Sequence, residues 1–80
     1  MYLHIMATRR ITTPQDLGTA VRDARTTAQL TQAELAERCG VSRKTVNTVE
    51  NGVFVPSTLL ALKLAAALDR SVEELFWVKP

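Results

Sequence analysis

Apolar side chains recur along this chain at helical spacing, and capping residues, glycines and a proline punctuate the runs. Leu17, Val21, Ala24 and Ala28 form one stripe of a first helix over 14–29. Thr13 can cap it, Pro14 suits its first position, and Asp16 completes a capping-box-like pattern. Thr31 followed three residues later by Glu34 is a capping box for a second helix, 31–39, with Leu35 and Ala36 as its apolar positions. Gly40 supplies the left-handed backbone that ends it. Ser42 is an N-cap for a third helix, 42–51, with Val46 and Val49 on its inner side and Gly52 at its end. Pro56 disfavours helix at Val55, and Ser57 caps a fourth, 57–68. This helix is apolar nearly all round, with Lys63 its only charge. Ala61, Leu64, Ala65 and Leu68 make one stripe, assigned to the core; Leu59, Leu62 and Ala66 make a second that a chain of this size cannot cover from within. Ser71-Val72-Glu73-Glu74 opens a fifth helix, 71–76, and Trp77 and Val78 follow. The pattern predicts an all-α domain of five helices over 14–78, an arm over 1–13, and no strand between residues 17 and 76.

The second and third predicted helices are separated by a short turn containing glycine, which is the helix-turn-helix pattern. The outer face of the third carries Ser42, Arg43, Lys44, Asn47 and Thr48. These basic, amide and hydroxyl groups are the types that bind phosphates and read base edges in a major groove. The helix N-terminus at Thr31 offers unsatisfied N–H groups and a partial positive charge, suited to a phosphate. Arg43 and Lys44 can each address guanine O6 and N7, or neutralise phosphate instead. Thr45 and Asn47 add polar contacts to phosphate or base. A solvated polar helix face is the plain alternative, and for Asn51-Gly52 a simple helix C-cap.

The specific residues narrow this. Thr31-Gln32-Ala33-Glu34-Leu35-Ala36, Gly40-Val41-Ser42, Val46 and Val49-Glu50-Asn51-Gly52 resemble the Cro/CI-type (XRE) helix-turn-helix family of regulators. The likeness continues through Pro56-Ser57 and Leu64-Ala65 to Ser71-Val72-Glu73-Glu74-Leu75-Phe76. It implies a five-helix, lambda-repressor-like DNA-binding domain. It implies that Gln32 supports a phosphate contact and faces the start of the recognition helix. Ser42, Arg43, Lys44 and Thr48 match base-touching positions, and Asn51 matches one that meets the DNA backbone. Arg25 and Glu50 match a pair that meets to fix the recognition helix. Gln29 stands where the family has glycine, so a glutamine is expected to adopt a positive φ at some cost.

Composition adds bounds. With 80 residues the chain forms one small domain, and its net charge of +2 is too slight to argue for nucleic acid by itself. Cys39 is the only cysteine, which excludes an internal disulfide and suits a small core side chain in a cytoplasmic protein. No apolar run is long enough for a membrane, and the first residues lack the features of a signal peptide. His4, the only histidine, lies in the arm, and no metal-ligand spacing or Gly-rich phosphate loop occurs. No enzyme activity, metal or cofactor is expected.

The leading expectation is a DNA-binding regulator, a repressor, that binds a palindromic operator as a homodimer through Leu59, Leu62, Ala66, Phe76 and Trp77. The alternative is an antitoxin that also holds a toxin protein, because the stretch from Ile11 to Gly18 with Arg22 and Arg25 resembles the opening of HipB-type antitoxins. A protein-interaction module without DNA is a third reading, opposed by Arg43-Lys44. The arm has three readings: a loose end, a basic segment using Arg9 and Arg10 on phosphates or in a minor groove, or a strand paired with its copy in a dimer.

Overall fold

The computed structural model of the chain describes residues 16–80, so the arm, with His4, Arg9, Arg10, Thr13 and Pro14, lies outside the described residues. Five helices and two short strands follow in order: β1 (Leu17–Thr19), α1 (Val21–Thr27), α2 (Gln32–Cys39), α3 (Arg43–Glu50), α4 (Thr58–Leu68), α5 (Val72–Leu75) and β2 (Phe76–Val78). Among the described residues, no helix is long and apolar enough to cross a membrane.

Local side-chain bonds start most of these helices. At α2, Thr31 Oγ1 accepts from the Glu34 N–H at 3.0 Å, and Glu34 Oε1 accepts from the Thr31 N–H at 2.8 Å. Ser71 and Glu74 repeat this box at α5. Ser42 and Ser57 cap α3 and α4 from their hydroxyls. Each satisfies an N–H that the first helical turn leaves without a partner. The helix ends reverse through left-handed residues. Gly40 and Gly52 do so at φ 69° and 72°, and the non-glycines Gln29 and Asp69 at 61° and 55°. At Gln29 the turn is closed by the Leu30 N–H on the Arg25 carbonyl at 3.1 Å.

The core gathers Val21 and Ala24 of α1, Leu35, Ala36 and Cys39 of α2, Val46 and Val49 of α3, Leu60, Leu64, Ala65 and Leu68 of α4, and Leu75 of α5. The predicted core stripe of α4 is thus shifted in part. Leu60 is buried while Ala61 is only half-buried, because α4 turns the larger side chain inward. Burial pushes the Cys39 thiol up, as expected of an inert core cysteine.

Two predicted helices need correction. The first helix does not run through 14–20; it begins at Val21, and residues 17–19 form a strand instead. The fifth helix stops at Leu75, and Phe76 turns into extended backbone. Ala28, read as part of the apolar stripe of the first helix, is exposed. The strands pair antiparallel, with Leu17 opposite Val78, Gly18 opposite Trp77 and Thr19 opposite Phe76. The Ala20 N–H to Leu75 carbonyl and Lys79 N–H to Asp16 carbonyl bonds, both 2.9 Å, flank the pair. Gly18 explains the outcome. Within a helix a glycine costs about 1 kcal/mol relative to alanine. In the strand its bare Cα receives the indole of Trp77, where a Cβ would fall 2.2 Å from Nε1.

Two substitutions test these turns and pairings. Gln29→Gly relieves a left-handed L-residue, worth roughly 1–2 kcal/mol, against the added entropy of an unfolded glycine. The net expectation is a gain of about 0.5 kcal/mol, seen as a higher urea midpoint. Gly18→Val should displace the Trp77 ring and cost about 1 kcal/mol or more. Tryptophan emission then shifts red while far-ultraviolet helicity holds.

Candidate nucleic-acid interface

The helix-turn-helix is α2, the turn at Gly40 to Ser42, and α3. Val46 and Val49 hold the inner side of α3 in the core and Glu50 is buried at its end, so the other side chains face outward. Ser42, Arg43 and Lys44 are exposed at its start; Thr45, Asn47 and Thr48 are half-buried along it; Asn51 is exposed at its end. Thr45 has its N–H capped by Ser42, and its hydroxyl lies 3.0 Å from that of Ser42. The Thr48 hydroxyl donates to the Thr45 carbonyl at 2.9 Å, which leaves its oxygen open to an outside donor. Lys44 has no hydrogen-bonding partner among the described residues.

The α2 N-terminus adjoins this face. Its capping box occupies the N–H groups of Thr31 and Glu34, so those of Gln32 and Ala33 are the ones left for an anion. Gln32, half-buried, bridges the two helices. Its Nε2 donates to Glu50 Oε1 at 3.1 Å, and Arg43 Nη1 stands 3.5 Å from its Oε1.

Beneath the face lies Glu50, the only buried charged or polar residue of the described chain, with a side chain fully shielded from solvent. Arg25 meets it with Nε on Oε2 at 2.6 Å and Nη2 on Oε1 at 3.2 Å, and also donates Nη1 to the Leu30 carbonyl at 2.8 Å. Arg22 adds its Nε to Oε1 at 3.4 Å. One carboxylate therefore receives donors from α1 and α2 while sitting on α3. Burial works to raise its pKa, but the bonds from Arg25, Gln32 and Arg22 outweigh it and hold the group below the ordinary 4.5. The same bond raises the Arg25 pKa.

Arg22 was legible only as a flank of α1. In the structure its Nη2 also donates to Asn51 Oδ1 at 2.5 Å, and Asn51 Nδ2 donates to Asn47 Oδ1 at 3.2 Å. This row ties the end of α3 to α1 and leaves the Asn47 amide hydrogens for an outside acceptor. The available sign was its place three residues before Arg25, on the same helix face. The residues assigned to self-association sit elsewhere: Leu59 and Leu62 are 62% and 54% exposed, Trp77 46%, and Ala66 is exposed. Phe76 is half-buried and packs against the core. Phe54 and Val78, at 45% and 56%, were not anticipated as exposed apolar groups.

A depressed glutamate pKa contributes stability that is complete above the unfolded value and lost as pH falls through the folded one. The domain should therefore weaken on acidification below about pH 4.5. Glu50→Gln should cost about 3 kcal/mol at neutral pH, since it strands Arg25 without its charge partner. It should also flatten the acid dependence. The slope that remains comes from Glu34 and Glu74, whose capping bonds lower their pKa values too. Urea melts of both proteins between pH 3 and 7 read the two effects; an unchanged slope would remove Glu50 as their source.

Comparison with known proteins places this arrangement. A helix-turn-helix family model matches residues 21–75. The uncharacterized HTH-type transcriptional regulator YgzD of Bacillus subtilis is 41% identical over 59 residues, spanning 74% of this chain and 89% of that protein. An uncharacterized HTH-type transcriptional regulator of Methanothermobacter thermautotrophicus is 46% identical over 61 residues, 75% and 88% of the two chains. The restriction-modification controller protein C.AhdI from Aeromonas hydrophila aligns in structure with a TM-score of 0.64 at 41% identity, covering 68% of this chain and 78% of that one. The matched span holds α1 to α5 and the whole Glu50 network, and leaves both strands outside it. The chain belongs to the XRE-type helix-turn-helix family of DNA-binding transcriptional regulators.

Proposed function

We propose that the protein is a repressor that binds a palindromic operator as a homodimer, with α3 as the recognition helix. The observation that carries this is the cluster of exposed Ser42, Arg43 and Lys44 at the start of α3, beside the open N–H groups of α2 and over a buried ionic anchor. In this reading Arg43 and Lys44 reach base edges or phosphates, Ser42, Thr45, Asn47 and Thr48 add polar contacts, and Gln32 with the α2 N-terminus holds a phosphate. Asn51 meets the DNA backbone at the far end. One copy reads few bases, and two copies reading a palindrome supply the missing discrimination. Leu59, Leu62, Ala66 and Trp77, with Phe76 at the edge, form the surface that joins the copies, since leaving them in water forfeits roughly 25 cal/mol per Å² of apolar area. A repressor acts by occupancy, which needs only a DNA face and a self-association face. Such a protein catalyses nothing and works in the cytoplasm, where the DNA is. The relatives named as regulators and a controller support this reading over that of an antitoxin.

Selection from a random duplex pool should return a palindrome whose half-sites lie about one helical turn, roughly 34 Å, apart. Arg43→Ala should cost about 1–3 kcal/mol if it reads a base, relaxing one position; Lys44→Ala, if it binds phosphate, should weaken all sequences alike and flatten the salt dependence. Unchanged affinity in both would dismiss the assigned reading face. Leu62→Glu should give a folded monomer with far weaker operator binding, by sedimentation and titration. A wild-type monomer at tens of micromolar that still binds a palindrome tightly would dismiss the dimer.

A further inference from the structure

Alternation along the paired strands sets Leu17 and Phe76 on the same face of the pair, and that face walls one side of a cleft of about 600 Å³. The loop before α4 contributes Pro56, α4 contributes Ala61 and Leu62, and α5 contributes Val72. Small-molecule sites span roughly 300–1,000 Å³, whereas a stable protein interface takes roughly 20–30 residues a side, far more than line this cleft. The lining is apolar apart from the hydroxyls of Ser57 and Thr58 and one charge, the carboxylate of Glu73. The Ser57 hydroxyl already accepts from the Leu60 N–H at 3.1 Å, and the capping box of α5 uses Glu74 rather than Glu73. Glu73 is exposed and has no hydrogen-bonding or ionic partner among the described residues. The cleft therefore joins an apolar wall to a single unpaired negative charge. A neutral or anionic occupant would strip water from that carboxylate and give it no partner, while an apolar body with one positive group complements both features.

We propose that this cleft binds a small primary amine with an apolar body, its ammonium group on Glu73 and its body against Leu17, Leu62 and Phe76. Leu62 and Phe76 also belong to the surface that joins two copies, so the consequence for regulation rests on the homodimer reading given above. An occupied cleft and a second copy on Leu62 compete. The amine then shifts the protein toward monomer and lowers its affinity for a palindrome. These residues stand on β1, α4, α5 and β2, apart from α3 and the Glu50 network, so the effect reaches the operator without touching the reading face.

The probes are phenethylamine and hydrocinnamate, which share a phenylethyl body and differ in the sign of the charge. Each is titrated into the full chain and followed by amide chemical shifts. The amine is expected to bind in the low millimolar range, as so small a molecule does, and to move the amides that line the cleft. Hydrocinnamate should bind at least about fivefold more weakly, and Glu73→Gln, at an exposed position, should weaken the amine about threefold while leaving operator binding without amine unchanged. No binding of the amine, equal binding of the two probes, or unchanged amine binding in Glu73→Gln overturns the site. Shifts that follow protein concentration but not the probe mark a second copy in the cleft and overturn it too. Sedimentation and operator titration at saturating amine read the competition: fewer dimers and operator binding at least about threefold weaker support it, and a dimer that persists with amine bound overturns it. A protein that is monomeric with and without bound amine dismisses the homodimer reading and leaves the site standing.

Discussion

A carboxylate with no exposure to water cannot stay charged unless donors surround it, and Glu50 is that constraint here. Arg25 and Arg22 reach it from α1 and Gln32 reaches it from α2, while the residue itself belongs to the last turn of α3. Three helices that already share the apolar core are thereby held at fixed mutual positions. A well-packed apolar replacement could match such a pair in stability. Its value lies in direction: carboxylate, guanidinium and amide have only one satisfying arrangement, whereas leucines and valines slide.

The same constraint organises the surface. Arg22, Asn51, Asn47, Gln32 and Arg43 are all within three hydrogen bonds of Glu50. A mostly exposed polar face is normally a set of independent, mobile side chains. This one is partly preordered, and among the described residues the Lys44 side chain has no hydrogen-bonding partner on it. Beneath it Val46 and Val49 seat α3 on Leu35, Ala36 and the α4 leucines of the core. The apolar groups that α4 leaves exposed, Leu59 and Leu62, belong to a different surface.

The strands close the domain at its ends. Pairing β1 with β2 draws the approach to α1 against the exit from α5, and the indole of Trp77 covers Gly18. The pairing lies outside residues 21–75, the span that the family model matches.

What the sequence determined by itself is local. The boxes at Thr31 and Ser71, the caps at Ser42 and Ser57 and the stop at Gly40 each join residues three to five apart, so both partners stand in one short window, while the strained turn at Gln29 came through the resemblance. Arg25 with Glu50 was available too, though only through the resemblance, since nothing in spacing joins residues 25 apart. The rest was decided by tertiary structure. Residues 17–19 have helix-compatible periodicity, and only the arrival of residues 76–78 makes them a strand. Leu60 rather than Ala61 faces the core because α4 is rotated by what it packs on. Arg22 and Asn51 look like a flank and a cap until α1 and the end of α3 are brought together. In each case the deciding contact joins distant parts of the chain, and a hydrophobic period or a capping pattern carries no record of its distant partner.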